Sequence, residues 1–177
     1  LEHIKDNPEH KHHSVIFYEL AIVLSNMSDL FALKNDMDTC LSLLDEAREY
    51  AEQHPQIEVR AGIIMKYAKH AYDVAQYEDA EAGYRRVLEF SEITKNLEHR
   101  HHALTGLAFI AMNKDNTESA FEYLTAALEI CEQETGDSQQ ICNLNCQLGK
   151  FHAEMEQNSE AENLLRKSLE ISTKHGY

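Results

Sequence analysis

A four-fold internal repeat constrains the fold of this chain more than any other feature of its sequence. Four segments align without gaps, and their first residues are 40, 40 and 41 positions apart. The segments are DTCLSLLDEAREY from Asp38, EDAEAGYRRVLEF from Glu78, ESAFEYLTAALEI from Glu118 and SEAENLLRKSLEI from Ser159. A fixed period of this length indicates a row of similar structural units, each of which buries its apolar face against its neighbours.

Each segment has the pattern of an amphipathic helix that packs closely against other helices. The third position is small, and the position four residues later, on the same helix face, is large. The small residues are Cys40, Ala80, Ala120 and Ala161, and the large ones are Leu44, Tyr84, Leu124 and Leu165. Because small side chains allow two helix backbones to approach each other, close helix packing is expected along this face.

A second helix is predicted upstream of the first in every repeat. Another small residue lies twelve positions before each of the small residues above. These residues are Ser28, Ala68, Ala108 and Gly149. Short polar breaks separate the two helices, and the Asn and Asp side chains of the breaks can cap the amides of the next helix. The breaks are Asn35-Asp36, Gln76, Asp115-Asn116 and Gln157-Asn158.

The chain is therefore predicted to be all-α, with four helical hairpins in a single domain at 1–177. Its 6 Gly, 2 Pro and lack of Trp also favour helices over turn-rich β architectures. The expected helices are 8–34, 37–53, 55–75, 77–95, 97–114, 117–135, 138–156 and 159–175, and the expected repeats are 8–53, 54–95, 96–135 and 137–175. Because the chain starts at Leu1 rather than Met, we expect it to be part of a longer protein.

The pattern of small and large residues resembles the tetratricopeptide repeat (TPR). The resemblance includes Leu148-Gly149 in a first helix and Tyr77-Glu78-Asp79-Ala80 at the start of a second helix. The period is longer than the usual one of about 34 residues, and it is similar to that of the TPR arrays of kinesin light chain and of bacterial signalling regulators. The resemblance implies a right-handed superhelical stack of eight antiparallel helices that binds other proteins.

The resemblance also assigns the binding groove to the first helix of each hairpin. The groove residues expected to contact a protein or extended peptide are Asn26, Lys66, Lys69, Tyr72, Phe109, Asn113, Asn143, Gln147 and Lys150. Asn and Gln can donate to and accept from a peptide backbone, and Lys can attract acidic groups. The alternative is that these polar residues form an ordinary solvated surface. Asp29 stands where the carboxylate clamp of some cochaperone arrays has Asn, so recognition of a chaperone tail is disfavoured.

Charge and hydropathy limit the classes of partner. The net charge of −15 opposes binding to nucleic acid and to anionic lipid. Residues 61–100 carry 6 basic and 7 acidic side chains, whereas 101–140 carry 1 and 7, so the second repeat is the expected docking place for an acidic ligand. Continuous apolar runs such as 103–112 are shorter than the roughly 20 residues of a membrane span. We therefore predict a cytoplasmic protein without membrane or nucleic-acid partners.

Neither the cysteines nor the histidines form a recognisable catalytic or metal motif. Cys40, Cys131, Cys142 and Cys146 lie in apolar helical patterns and are expected to be buried thiols. Two histidine-rich pieces, at 9–13 and 98–102, do not place three or four converging ligands together, as zinc requires. We predict no enzyme activity, metal or cofactor, and an enzyme that uses these residues is the least favoured hypothesis.

Two functional hypotheses follow from the repeat. The first is a non-enzymatic scaffold that binds a protein or peptide in its concave groove. The alternative is a regulatory or dimerisation segment of a bacterial signalling protein with a separate output domain, such as a diguanylate cyclase or a transcription regulator. A homo-oligomer through the terminal helices is a further expectation, because four apolar residues of the last helix are expected to lack cover. These are Leu164, Leu165, Leu169 and Ile171.

Overall fold

The computed structural model describes residues 8–52, 56–136 and 138–176, with the backbone alone at 8–14, 134 and 135. Eight α-helices lie in these ranges. They are α1 (Pro8–Leu33), α2 (Met37–Glu52), α3 (Ile57–Asp73), α4 (Tyr77–Thr94), α5 (Leu97–Asn113), α6 (Thr117–Ile130), α7 (Ser138–Glu154) and α8 (Asn158–His175). The predicted all-α fold of four TPR-like hairpins is confirmed.

Consecutive helices pair as the repeat predicts. The pairs are α1 with α2, α3 with α4, α5 with α6, and α7 with α8. The chain divides into two compact units, Leu1–Thr94 and Lys95–Tyr177. Within the first unit α2 also packs against α3, and within the second unit α6 packs against α7. The assignment of 1–177 to a single domain stays a prediction.

Small residues bring the paired helices close together, as the pattern predicts. A Cβ atom added to Gly83 of α4 would lie 2.8 Å from the Ala68 Cβ of α3. A Cβ atom added to Gly149 of α7 would lie 2.7 Å from the Leu165 Cγ of α8. The first of these contacts meets a short side chain that cannot move away, so α3 and α4 depend on the glycine for their spacing.

Side-chain caps start several of the helices. The carboxylate of Asp36 accepts a hydrogen bond from the backbone N–H of Thr39 at 3.2 Å, and the Asn116 side chain accepts one from the Ser119 N–H at the same distance. Asn96 caps α5 in the same way. The prediction was wrong at α8, because Asn158 is already the first helical residue and the preceding Gln157 makes no side-chain cap.

The turn inside each hairpin contains one residue with a left-handed backbone. These residues follow the period of the repeat: Asn35 (φ 60), Ala75 (φ 62), Asp115 (φ 54) and Glu156 (φ 60). Asn35 and Asp115 are residue types that adopt this conformation more readily than most, whereas Ala75 and Glu156 gave no sign of it in the sequence. Gly136 also has a positive φ of 62° and ends the π-helical turn Cys131–Thr135, as expected for a C-cap glycine.

Candidate functional site

A groove on the first unit lies between α1 and α3, which are both first helices of a hairpin. It has a volume of about 820 Å³. Its walls are formed by Asp29, Ala32, Leu33, Asn35, Met37, Gly62, Met65, Lys66, Lys69, His70 and Asp73. Of the predicted binding residues, Lys66 and Lys69 line this groove. Asn26 and Tyr72 lie on the same helices but outside its lining.

An ion pair joins the two walls of the groove. Lys66 Nζ lies 3.0 Å from Asp29 Oδ2 and donates a second hydrogen bond to the Ser25 carbonyl at 3.1 Å. Asp29 is the residue that departs from the carboxylate-clamp pattern. Because its carboxylate balances the charge of Lys66, the ammonium of Lys66 is already bound within the protein, where it joins α3 to α1.

Lys69 is the second predicted cation of the groove, and it is exposed. Its neighbours His70 and Asp73 complete a small polar group, in which His70 Nδ1 lies 3.7 Å from Asp73 Oδ2. Burial lowers the pKa of His70 below its ordinary value, and the Asp73 carboxylate opposes this effect. His70 is therefore neutral at physiological pH, and Lys69 supplies the positive charge on this side of the groove.

The apolar part of the groove is unusually open to solvent. Leu33, the last residue of α1, is 85% exposed. Met37 and Met65 are half-buried beside it. Flexible methionine side chains adapt to ligands of different shape. Together these three residues form a surface on which an apolar side chain of a partner can be buried.

Gly62 leaves space on the α3 wall of the groove. A Cβ atom added there would have no neighbour within 4 Å, so the packing of this chain does not require a glycine. Glycine inside a helix costs roughly 0.5–1 kcal/mol relative to alanine. In this respect Gly62 differs from Gly83, where an added Cβ would meet Ala68. Sequence reasoning missed Gly62 and Leu33, although a lone glycine between Ala61 and Ile63 was a usable signal.

The predicted residues of the second unit lie on α5 and α7. Asn113 is exposed and donates a hydrogen bond from Nδ2 to the carbonyl of half-buried Phe109 at 2.8 Å. Asn143 and Lys150 are exposed on α7, and Gln147 is half-buried. A cavity described in this unit lies elsewhere, on α7 and α8. Its lining consists of His152, Glu160, Asn163, Leu164, Arg166, Lys167 and Glu170.

The cysteines behave as structural thiols. Cys40, Cys131 and Cys142 are buried and Cys146 is partly buried. Cys142 Sγ donates to the Ser168 carbonyl at 3.3 Å, which joins α7 to α8, and burial raises the pKa of the Cys40 thiol. Across the described residues no group of three metal-ligating side chains converges. The histidine-rich piece at 9–13 lies outside the side chains that the structure describes.

One described helix passes a test of length and composition for membrane spanning. Val15–Leu33 of α1 has a mean hydropathy of 1.5 over its most apolar window, although Glu19 and Asp29 interrupt it. This segment was missed in the sequence because only uninterrupted apolar runs were considered. The helix lies near the N-terminus and packs against α2.

These features define the class of helical repeat proteins built from TPR-like hairpins. Residues 99–174 match the family model described as tetratricopeptide repeat. No curated protein sequence matches the chain. The match lies in the second unit, where the α-helical hairpins α5–α6 and α7–α8 are found.

Several solved structures have the same fold. Aspartyl phosphate phosphatase F from Bacillus subtilis is similar with a TM-score of 0.81 at 18% identity, over 90% of this chain and 42% of that one. BtubC from P. vanneervenii has a TM-score of 0.78 at 20% identity, over 93% and 66%. A putative kinesin light chain from Podosopora anserina has 0.71 at 17%, over 88% and 76%. The predicted resemblance to long-period TPR arrays is confirmed, and the chain spans less than two thirds of the first two structures.

Proposed function

We propose that this protein is a non-enzymatic scaffold that binds an extended segment of another protein in the groove between α1 and α3. The observation that carries the proposal is the pairing of exposed Leu33 with the open space over Gly62. An apolar side chain of the partner is buried against Leu33, Met37 and Met65. A partner backbone can come closest to α3 at the glycine, where no side chain intervenes.

The charges of the groove favour a partner segment with an acidic group beside its apolar anchor. Lys66 is already paired with Asp29, whereas Lys69 is exposed and makes no ion pair within the described parts of the chain. An acidic side chain or a terminal carboxylate would therefore be held by Lys69. The remaining predicted residues are proposed contacts of a longer partner: Asn26, Tyr72, Phe109, Asn113, Asn143, Gln147 and Lys150.

The comparisons support binding in general but not this particular groove. YrrB, described as a TPR protein with an unusual peptide-binding site, has a TM-score of 0.51 at 17% identity, over 88% of each chain. Shared fold makes peptide binding a reasonable class of function, and the function itself has to be argued from the site. Here the argument rests on the exposed apolar residues and on Lys69.

The proposal is tested by selecting peptides from a random display library on the immobilised protein and measuring their affinity. We expect selected peptides to share an apolar residue near an acidic one. Leu33→Ala should weaken their binding about tenfold, which corresponds to roughly 1.4 kcal/mol. Ile93→Ala is the matched control, because Ile93 is also apolar and exposed but lies on α4, outside the groove. Equal losses in both variants, or a library without enriched peptides, would reject the groove.

A second candidate function is a regulatory segment of a larger bacterial signalling protein. It is favoured by the similarity to structures of which this chain spans only a part, including 26% of a signal transduction ATPase with a TPR sensor from Pyrococcus horikoshii. The natural gene product decides between the two. A downstream output domain whose activity changes when the array is deleted would support a regulatory function. A gene product without an output domain would support the scaffold function instead.

A further inference from the structure

The outward face of α1 carries an apolar stripe that no described helix covers. Its five residues are separated by four, three, four and three positions: Ile16, Leu20, Val23, Met27 and Leu30. All five are exposed. Residues with this spacing line one side of a helix and form the seam along which a second helix packs. Contiguous exposed apolar surface of this kind marks an interaction site.

The repeat shows which kind of partner this face accommodates. Val23 is 51% exposed, but the residues at its position in later hairpins are buried, with Ile63 at 4% and Leu144 at 2%. Ile63 packs against Ala47 and Ala51 of α2. The stripe on α1 is therefore the surface that, on α3, receives the second helix of the preceding hairpin.

The last helix presents the other half of the same interface. Leu165 is 38% exposed on α8, whereas Leu44 at the same repeat position on α2 is fully buried. Leu169 is 68% exposed and occupies the position of Arg48, whose guanidinium lies 4.9 Å from the centre of the Tyr67 ring on α3. The exposure of Leu165 and Leu169 agrees with the prediction that the final helix lacks cover.

We propose that α8 of one copy of this chain packs against α1 of a second copy, head to tail. The contact repeats the α2–α3 interface, with Leu169 in place of Arg48 and Met27 in place of Tyr67. Both replacements exchange a polar contact for an apolar one, so neither helix leaves an unpaired charge at the centre of the interface. The two faces are complementary because each has the shape of one side of an interface that the chain already forms internally.

The charges of the two helices do not oppose the contact. The apolar segment Val15–Leu33 of α1 contains Glu19 and Asp29, and Asp29 is paired with Lys66. On α8, Arg166 and Lys167 occupy the positions that Asp45 and Glu46 occupy on α2, and they are paired with Glu162 and Glu132. These pairs balance Asp29, Arg166 and Lys167 within each copy. The choice of α8 over a second α1 follows from the repeat, because only α8 carries the residues that correspond to the α2 side of the α2–α3 interface.

A bilayer fits the face of α1 less well. Insertion would bring the charged carboxylates of Glu19 and Asp29 into the hydrocarbon layer, which disfavours them, and would break the Asp29–Lys66 ion pair. Insertion would also separate α1 from α2, against which it packs. A head-to-tail contact leaves one free face at each end of every assembly, so copies can add in succession.

The mass of the full 177-residue chain in solution tests the proposal. We expect the average mass from light scattering or sedimentation to rise with protein concentration. Val23→Glu blocks the α1 face and Leu169→Glu blocks the α8 face, so each variant alone should be monomeric. A mixture of the two should form a dimer with one copy of each, because each retains the face that the other lacks.

Other outcomes overturn the proposal. A dimer of the Leu169→Glu variant alone would show that α1 pairs with α1. A wild-type chain that stays monomeric at every concentration would show that these faces accept some other helix, and α1-dependent binding to lipid vesicles without self-association would assign α1 to a membrane. Ile93→Glu is the control, because Ile93 is an exposed apolar residue of α4, and this variant should assemble like the wild type. Helical circular dichroism checks that all variants fold.

Discussion

Gly62, Gly83 and Lys66 are used differently in the packing of the first unit. Gly62 weakens α3 without any packing requirement, whereas Gly83 allows α3 and α4 to approach. Lys66 was predicted from its position to contact a ligand, but the structure shows its ammonium bound to Asp29 and to the Ser25 carbonyl. The sequence could not reveal this pair, because the two residues are 37 positions apart and belong to different repeats.

Replacing Gly62 with alanine should change the stability of the protein and its proposed ligand binding in opposite directions. We expect Gly62→Ala to raise the free energy of unfolding by about 0.5–1 kcal/mol, because alanine restricts the unfolded chain and favours the helix. The same variant should weaken binding of a groove peptide, because its methyl group occupies the open space. Urea unfolding and peptide titration measure the two changes.

Gly83→Ala provides the matched control, since the added methyl group would collide with Ala68 and destabilise the protein. A Gly62→Ala variant that binds peptide with unchanged affinity would contradict close approach of a ligand at this position.

His70 makes the stability of the first unit depend on pH, and the surroundings of His70 determine the sign of that dependence. Burial lowers the pKa of His70 in the folded protein, whereas in the unfolded chain the pKa returns to about 6.5. The unfolded state therefore binds a proton more readily. The contribution of His70 to stability is fully present above the unfolded pKa and is lost as the pH falls below it towards the folded pKa.

We expect the free energy of unfolding to decrease between pH 8 and pH 5, and His70→Gln to reduce the size of that decrease. Unfolding in urea at a series of pH values measures both slopes. Identical slopes for the wild type and the variant would show that other groups cause the pH dependence.

At the scale of helices, the sequence predicted most of the architecture because each helix depends on local periodicity. All eight predicted helices occur, and most of their ends lie within two residues of the prediction. Exceptions arise where the backbone departs from the regular pattern. The sixth helix was expected to reach residue 135, but its last turn is π-helical from Cys131. Ala75 adopts a left-handed conformation that its side chain does not favour.

The helix caps give a prediction at this scale. Asp36→Ala removes the acceptor for the Thr39 amide at the start of α2 and should lower the free energy of unfolding by about 1 kcal/mol. Gln157→Ala is the control, because Gln157 makes no side-chain cap at the start of α8 and its loss should have little effect. Thermal and urea unfolding compare the two, and equal losses would contradict the capping assignment.

At the scale of the whole molecule, the repeat explains why the candidate site was only partly predictable. Family resemblance predicted that the first helix of each hairpin carries a binding surface, and Lys66 and Lys69 line a groove between two of these helices. It could not rank the residues on those helices, because Leu33 and Gly62 become distinctive only through exposure and empty space in the folded unit. The uncovered stripe on α1 was missed for the same reason, since its residues look like core residues in sequence.

A double variant, with one substitution in each unit, tests whether a partner contacts both units. Lys69→Glu reverses the charge of the groove in the first unit, and Asn143→Ala removes an exposed amide from α7 in the second. For a partner that spans both, each variant should weaken binding, and the double variant should lose the sum of the two free energies to within about 0.5 kcal/mol, as expected for independent sites. Titration of a selected peptide ligand with the wild type, the two single variants and the double variant gives these values. If Lys69→Glu alone weakens binding, the partner is confined to the groove between α1 and α3, and if neither variant changes the affinity, the predicted first-helix surface is not where it binds.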